Sequence, residues 1–377
     1  MRILHLYAGN LFGGIETYLV TLAKTSLPQM QHEFALCFQG RLSSELQQAG
    51  AIVHNLGAVQ IRHPWTVWKA RSQLKALLQQ KSFDVIIAHA CWVQAIFGSV
   101  VKAQNLPLVF YAHNIVSGRE WLERLAKRIV PDLVIANSNY TASTLNHLYP
   151  EVPSRTVYFP VLSSQCLDST VVRQRIRSQF QTPADRVVIA QVSRLEECKG
   201  HRSLLVALSQ LKSIPDWEMW LVGGPQRAQE RTYLASLQKQ LTELQLVDRV
   251  KFLGQRSDVS ELLAAADLYC QPNRHAESFG ISLIEALYAG LPIVTTAIGA
   301  APEIVDQSCG CLVPAGDNSA IAQVLERLIT DARERDRLSQ GCLDRAISLC
   351  DPVQQLNKLY EILERSLFEK TPELSTF

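Results

Sequence analysis

The residues predict an α/β protein built from two doubly wound parallel sheets, and three observations carry that prediction. Short apolar runs alternate with amphipathic segments along the chain, as expected for strands buried on both faces and the helices that cover them. The alternation weakens once, over Tyr158–Asp185, which is polar and lacks a firm apolar period. Finally, glycine pairs, histidines and basic residues fall just after the apolar runs. Those positions are the carboxyl ends of the expected strands, where open α/β sheets bind ligands.

A length of 377 residues suits two or three domains. We expect a first domain over 1–160, a linker over 161–185 and a second domain over 186–351. The amphipathic end, 352–377, is the remaining segment. In the first half the strands are expected at Ile3–Tyr7, Phe34–Phe38, Ile52–His54, Val85–Ala88, Leu108–Ala112 and Leu133–Ala136. Helical spacing marks Ile15–Lys24, Thr66–Gln80, Val93–Ala103, Trp121–Ile129 and Thr141–Leu148. In the second half the strands are expected at Val187–Val192, Met219–Val222, Val250–Phe252, Leu268–Cys270 and Pro292–Thr295. The matching helices are Ser203–Leu211, Glu230–Leu244, Val259–Ala265, Ile281–Ala289, Ser319–Thr330 and Ala332–Leu349.

An apolar fraction of 47% and a charged fraction of 19% describe an ordinary globular protein. The net charge of +2 offers no global case for nucleic-acid binding. Nine scattered cysteines read as reduced thiols in a cytoplasmic protein. The close pair Cys309 and Cys311 has no second pair or histidine to complete a zinc site. No apolar run reaches the roughly 18 residues of a membrane span. The opening MRILHLYAGN reads as a first strand, not a signal peptide. The expectation is a cytoplasmic protein, or one peripheral on the inner face of the membrane.

The most informative stretch is Arg274–Thr296, RHAESFGISLIEALYAGLPIVTT. Glu277 stands in a polar run just before Phe279-Gly280. Glu285 lies inside an otherwise apolar helix, where an unpaired carboxylate is expensive, so it requires a polar partner. A ligand hydroxyl is one candidate. Gly280 at the helix start permits close backbone approach, and free N–H groups there suit a phosphate or sugar oxygen. Glu285 would lie roughly 7 Å along the axis, at about 1.5 Å per residue. A second cluster is SRLEECKG, where Arg194 and Lys199 are placed to neutralise a diphosphate, Arg by its planar fork and Lys as a compact charge.

These strings resemble the signature of family 4 glycosyltransferases, retaining enzymes of the GT-B fold that use nucleotide-sugar donors. The resemblance covers nearly the whole chain and is most specific in the second half. It implies two Rossmann-like domains facing across a cleft, with the terminal helix packing back on the first domain. It implies that Glu277 contacts donor-sugar hydroxyls and that Glu285 holds the ribose. Ser278, Phe279, Gly280 and Ile281 would supply donor contacts at the helix start. Arg194 and Lys199 would stabilise charge on the leaving diphosphate. Gly13-Gly14 matches the family's Gly-rich loop beside donor phosphates, although Glu16 could instead complement the positive helix end. His113, after the strand Leu108–Ala112, matches a histidine that contacts the donor sugar, whereas His89 reads as structural. Gly223-Gly224 resembles the nucleotide-side glycine turn. Ser138 matches a frequent family serine and would serve equally as a helix cap.

Some positions depart from the family. Ser193 replaces the Gly of Gly-Arg-Leu, Gly299-Ala300 replaces a Gly-Gly before the acidic Glu303, and YFPV at Tyr158–Val161 replaces Asn-Gly-Val-Asp. No Asp-x-Asp pair is present, so no metal and no cofactor are expected beyond the nucleoside diphosphate sugar as co-substrate. The reading is transfer of a hexosyl unit to a hydroxyl of a glycan or lipid-linked acceptor, in polysaccharide or glycolipid assembly. A non-catalytic nucleotide-sugar-binding partner and a GT-B sugar-nucleotide epimerase are the alternatives. Between Ala51 and Phe83 there is no acidic residue, while Arg62, Lys69, Arg71, Lys75 and Lys81 accompany Trp65 and Trp68. That segment, 62–81, suits either an anionic membrane surface or a plain helix packing Val67, Leu74, Leu77 and Leu78 on the sheet.

Overall fold

The structure, a computed structural model, describes residues 1–10, 13–25, 27–163 and 169–369. The chain divides into two compact units, Met1–Leu162 with the segment from Cys350, and Ser163–Leu349.

The first unit opens with β1 (Arg2–Tyr7), α1 (Gly14–Lys24), β2 (Gln31–Leu36), α2 (Arg41–Gln48) and β3 (Ile52–Asn55). It continues through α3 (Pro64–Gln80), β4 (Val85–His89), α4 (Ala90–Lys102) and β5 (Leu108–Ala112). It closes with α5 (Trp121–Lys127), β6 (Leu133–Ala136), α6 (Asn139–Thr144) and β7 (Ser154–Thr156). The seven strands run in the order β3-β2-β1-β4-β5-β6-β7, all parallel. β4 and β5 are buried throughout, which is why they read as unbroken apolar runs.

The second unit runs α7 (Ser169–Gln179), β8 (Val187–Val192), α8 (His201–Ser209), β9 (Trp217–Val222) and α9 (Ala228–Glu243). Next come β10 (Val250–Gly254), α10 (Val259–Ala265), β11 (Leu268–Gln271) and α11 (Ile281–Tyr288). Then follow β12 (Ile293–Thr296), α12 (Ala301–Ile304), β13 (Gly310–Val313), α13 (Asn318–Thr330) and α14 (Ala332–Cys350). Its sheet is ordered β10-β9-β8-β11-β12-β13 and is also parallel. α15 (Pro352–Leu367) belongs to the first unit, with Leu356, Leu359 and Leu363 buried and Asn357 accepting from Gln29 at 2.9 Å.

Each sheet reverses its strand order beside its first strand, between β1 and β4 and between β8 and β11. Loops leaving those strands at the carboxyl edge diverge there, opening the position where such sheets take ligands.

The segment expected as a linker needs correction. Within 161–185 lies helix α7, which is packed into the second unit. The buried Arg177 is the reason. Its guanidinium donates to Ala265 O at 3.0 Å, Arg186 O at 2.9 Å and Asp267 Oδ2 at 2.6 Å. Arg173 takes the other Asp267 oxygen at 2.6 Å. Polar anchoring of this kind leaves no apolar period, so the helix was invisible to pattern. Among the described residues, no helix is long and apolar enough to cross a membrane, and the cysteines are free thiols.

Replacing Arg177 by Met would keep most of the volume but remove the donor from the Ala265 and Arg186 carbonyls and leave Asp267 to Arg173 and Val188 N alone. We expect a loss of about 1–3 kcal/mol in unfolding free energy, measured by denaturant titration.

Candidate functional site

The site in the second unit begins with one glycine. Gly200, between Lys199 and α8, has φ +74°, and a Cβ there would lie 1.8 Å from Pro272 O. Only glycine allows the turn after β8 to touch the loop after β11. Arg274 N donates to Cys198 O at 2.8 Å and Gln191 Nε2 to Lys199 O at 2.8 Å, fixing the turn from both sides.

This contact brings Lys199 onto Glu277, with Nζ 2.5 Å from Oε1. The other carboxylate oxygen accepts from Asn273 Nδ2 at 2.8 Å and Gln271 Nε2 at 3.2 Å. Gln271 Oε1 in turn accepts from Tyr269 OH at 2.8 Å and Ser282 Oγ at 3.2 Å. Glu277 is thus oriented on both edges by fixed donors. Gln271, Asn273 and Tyr269 escaped the sequence reading. Their signal was polar side chains at the end of a buried strand.

Glu285 contrasts with it. α11 starts at Gly280, which has φ +113°, and buries Leu283, Ile284, Ala286 and Leu287. Glu285 keeps some exposure, yet protein walls its carboxyl closely enough that burial raises it to about 7. Its carboxyl has no hydrogen-bond or ion-pair partner among the described residues. Phe279 and Gly280 are buried at the helix start, and Ser278 and Ile281 are half-buried beside them.

The remaining loops converge on the same strand ends. A Cβ on Gly223, φ +151°, would fall 2.0 Å from Ser193 O, so the exits of β8 and β9 are in direct backbone contact. Ser193 Oγ lies 3.0 Å from His201 Nε2, and burial lowers His201 to about 4. The serine at the family's glycine position therefore has a definite partner. Half-exposed Arg194 pairs with Glu196 at 2.8 Å. It stands in the same turn as Lys199 but reaches a different carboxylate.

In the first unit, Gly13 caps α1 and Gly14 is its first residue. Buried Glu16 accepts from Tyr7 OH at 2.7 Å, so its carboxylate is held by a side chain as well as by the helix end. His113 follows β5 and is buried against Tyr111, Tyr18 and Phe159, with ring centroids 4.5, 5.7 and 5.3 Å away. Its Nε2 is 2.7 Å from His89 Nδ1, and its Nδ1 is buried without a partner. Ser138 caps α6, accepting from Thr141 N at 2.9 Å. Among the described residues, no cluster of His, Cys, Asp or Glu is arranged to hold a metal ion.

Residues 12–161 match the family described as Glycosyltransferase Family 4, and residues 172–342 that described as Glycosyl transferases group 1. The chain belongs to the family 4 glycosyltransferases. The D-inositol 3-phosphate glycosyltransferase of Stackebrandtia nassauensis is 28% identical over 288 residues, 70% of this chain and 64% of that protein. The phosphatidyl-myo-inositol mannosyltransferase of Mycobacterium leprae is 36% identical over 146 residues, 38% of this chain and 37% of that protein. The chain thus spans less than two thirds of the length of these curated relatives. The Anabaena HepE structure with UDP-glucose aligns at a TM-score of 0.83 and 25% identity, over 97% of this chain and 99% of its own. Both units therefore carry Rossmann-like sheets of the GT-B fold.

Against the family pattern, the departure at Gly299-Ala300 proves structurally mild. Gly299 has φ +64° and a Cβ there would lie 2.5 Å from both Glu277 N and O. Ala300 N donates to Glu277 O at 3.0 Å, and the Ala300 methyl is fully buried. The loop thus still braces the Glu277 backbone.

The raised Glu285 has a measurable consequence. The folded protein keeps this proton up to about pH 7, whereas the unfolded chain releases it near 4.5. Stability therefore declines as pH rises from 4.5 to 7 and levels off above, by up to about 3 kcal/mol. Glu285→Gln should remove that decline, giving an apo-protein more stable than wild type at pH 8. Thermal unfolding across pH 4.5–8 measures it; an unchanged slope would show Glu285 ionising freely.

Proposed function

We propose that the chain is a retaining glycosyltransferase that moves a hexosyl unit from a nucleoside diphosphate sugar to a hydroxyl acceptor in glycan or glycolipid assembly. The observation that carries this reading is the pairing of two unlike carboxyls in one loop-helix unit. Glu277 is fixed by Lys199, Asn273 and Gln271, while Glu285, one helix turn and more beyond, has no partner. An oriented carboxylate suits the hydroxyls of a transferred sugar. A carboxyl lacking donors suits the hydroxyls of a ribose, which would supply them. The resemblance assigns those two roles, and the complex of HepE with UDP-glucose supports a donor of this class.

In this mechanism the glycosidic bond to the diphosphate breaks as negative charge grows on the leaving group. Lys199, with two N–H groups beyond the one on Glu277, and Arg194 stabilise that charge. The acceptor hydroxyl attacks from the face the diphosphate leaves, and its proton passes to the departing phosphate. Both carboxyls then bind and orient; neither need act as nucleophile. The role carried over for His113 is a contact to the transferred sugar.

A lipid-linked acceptor or an anionic membrane partner is favoured by α3. Its Leu74 and Leu78 are buried in the core with Val67 and Leu77 packed against it, as the plain-helix reading expected, but Trp65 and Trp68 are 65% and 73% exposed. A groove of about 840 Å³ runs beside them, lined by Trp68, Val67, Ile96, Arg71 and Lys75. Exposed indoles beside cations and apolar walls match the headgroup region of a bilayer.

A panel of nucleotide sugars, scored for thermal stabilisation and slow donor hydrolysis, tests the main reading. One donor should stabilise and turn over, and Glu285→Ala and Lys199→Ala should each lower kcat/KM at least about 100-fold. Binding without turnover, with glycan and lipid acceptors supplied, would favour a non-catalytic partner; no binding by any donor would sink the site.

Co-sedimentation with vesicles tests the membrane contact. Binding should require anionic lipid, weaken with salt, and fall when Trp65 and Trp68 are both replaced by Ala.

A further inference from the structure

Four histidines of the first unit form one hydrogen-bonded file. His113 Nε2 meets His89 Nδ1 at 2.7 Å, His89 Nε2 meets His5 Nδ1 at 2.9 Å, and His5 Nε2 meets His32 Nδ1 at 2.9 Å. Successive ring centroids are 5.0, 5.2 and 5.1 Å apart. The file starts after β5 and crosses β4 and β1 to β2, strands that are adjacent in the sheet. Its two end nitrogens, His113 Nδ1 and His32 Nε2, are buried and have no partner.

Burial keeps every ring neutral at neutral pH. It lowers His113 to about 3 and His32 to about 4, and holds His5 and His89 well below the usual histidine range. A neutral imidazole has one N–H and one lone pair. Each of the three bonds needs one of each. Only two assignments satisfy all three bonds. With the proton on Nε2 of every ring, donation runs from His113 towards His32, and His113 Nδ1 is an acceptor. With the proton on Nδ1 of every ring, donation runs the other way, and His113 Nδ1 is a donor. Any mixture sets two N–H groups or two lone pairs face to face in a buried place, where an unmade bond costs about 1–3 kcal/mol. Conversion between the two assignments takes one proton in at one end and releases one at the other, leaving each ring neutral.

We propose that His89, His5 and His32 are positioning residues for His113, fixing in concert which of its nitrogens carries the proton. They thereby decide whether His113 Nδ1 offers a donor or an acceptor to a hydroxyl of the transferred sugar. The role at the sugar rests on the function proposed above; the shared protonation pattern does not. Nδ1 is covered by protein, so a hydroxyl reaches it only when that cover shifts.

The test is ring-nitrogen NMR on the full chain at pH 7, alone and with UDP-glucose, read alongside donor kinetics. We expect four neutral rings, all protonated on the same nitrogen. His5→Phe and His32→Phe, neither touching His113, should move the His113 proton between its nitrogens. They should also lower donor kcat/KM about three- to tenfold. His32→Gln, whose amide can donate or accept, should restore the wild-type pattern at His113. Melting curves establish that each variant is folded, and the wild-type and His32→Gln spectra decide the matter if the Phe variants are not. A charged ring, a mixed pattern, or a His113 proton indifferent to both remote substitutions overturns the proposal. A uniform pattern in a chain that binds no nucleotide sugar would refute the sugar role while leaving the shared file intact.

Discussion

The contact on which the candidate site depends is the backbone approach of Gly200 to Pro272. β8 and β11 are neighbours at the point where the sheet reverses its strand order, so their exit loops leave side by side. Whether those loops touch is decided by a single missing methyl, since a Cβ would sit 1.8 Å from a carbonyl oxygen. Their contact sets Lys199 against Glu277, whose other carboxylate oxygen is held by Asn273 and Gln271. Gly223 against Ser193 and Gly299 against Glu277 repeat the device on the flanking strands. The site is a set of loops joined by backbone contact, and its side chains inherit their geometry from those joints.

That construction explains why the two carboxyls of α11 and its entry loop behave differently. Glu277 sits in the loop, within reach of the neighbouring loop's cation and of amides at the end of β11. Glu285 sits on a helix that buries Leu283, Ile284, Ala286 and Leu287, and no donor among the described residues reaches its carboxyl. A partly buried ion pair of the Lys199–Glu277 kind contributes little net stability, because desolvation offsets attraction. It does fix direction. An unpaired carboxyl costs stability outright, and that cost is the ground on which Glu285 is proposed to meet a ligand.

Much of this was legible in the sequence, for physical reasons that also explain the gaps. Strands such as Val85–His89 and Leu108–Ala112 are covered on both faces, so their burial is written as continuous apolar residues. Lys199, Gly200, Glu277, Gly280 and Glu285 were readable because backbone contact and helix burial restrict residue type at fixed spacing. α7 was read as linker because arginines bonded to carbonyls and to Asp267, not apolar side chains, hold much of it in place. β7, with Ser154 and Arg155 exposed, is an edge strand with no buried face to leave a pattern. Tyr269, Gln271 and Asn273 act through a hydrogen-bond network, and a network has no period. His89 was read alone, and only the fold brings His5 and His32 into line with it.

The two units hold their buried polar groups in opposite ways. The second sets a basic group against an acidic one, and its Lys199–Glu277 pair stays partly exposed to solvent. The first buries His5, His89 and His113 almost completely and His32 in part, where an ion would be very costly, and uses groups that stay neutral. Imidazole suits that task because one neutral ring both donates and accepts, so rings can be strung without limit provided every one faces the same way. A chain of amides could also be strung, but each amide would leave a second donor and a second lone pair to satisfy. A file of imidazoles leaves two loose ends in all. One of them is His113 Nδ1, and the directionality that satisfies the whole file is the property that reaches that nitrogen.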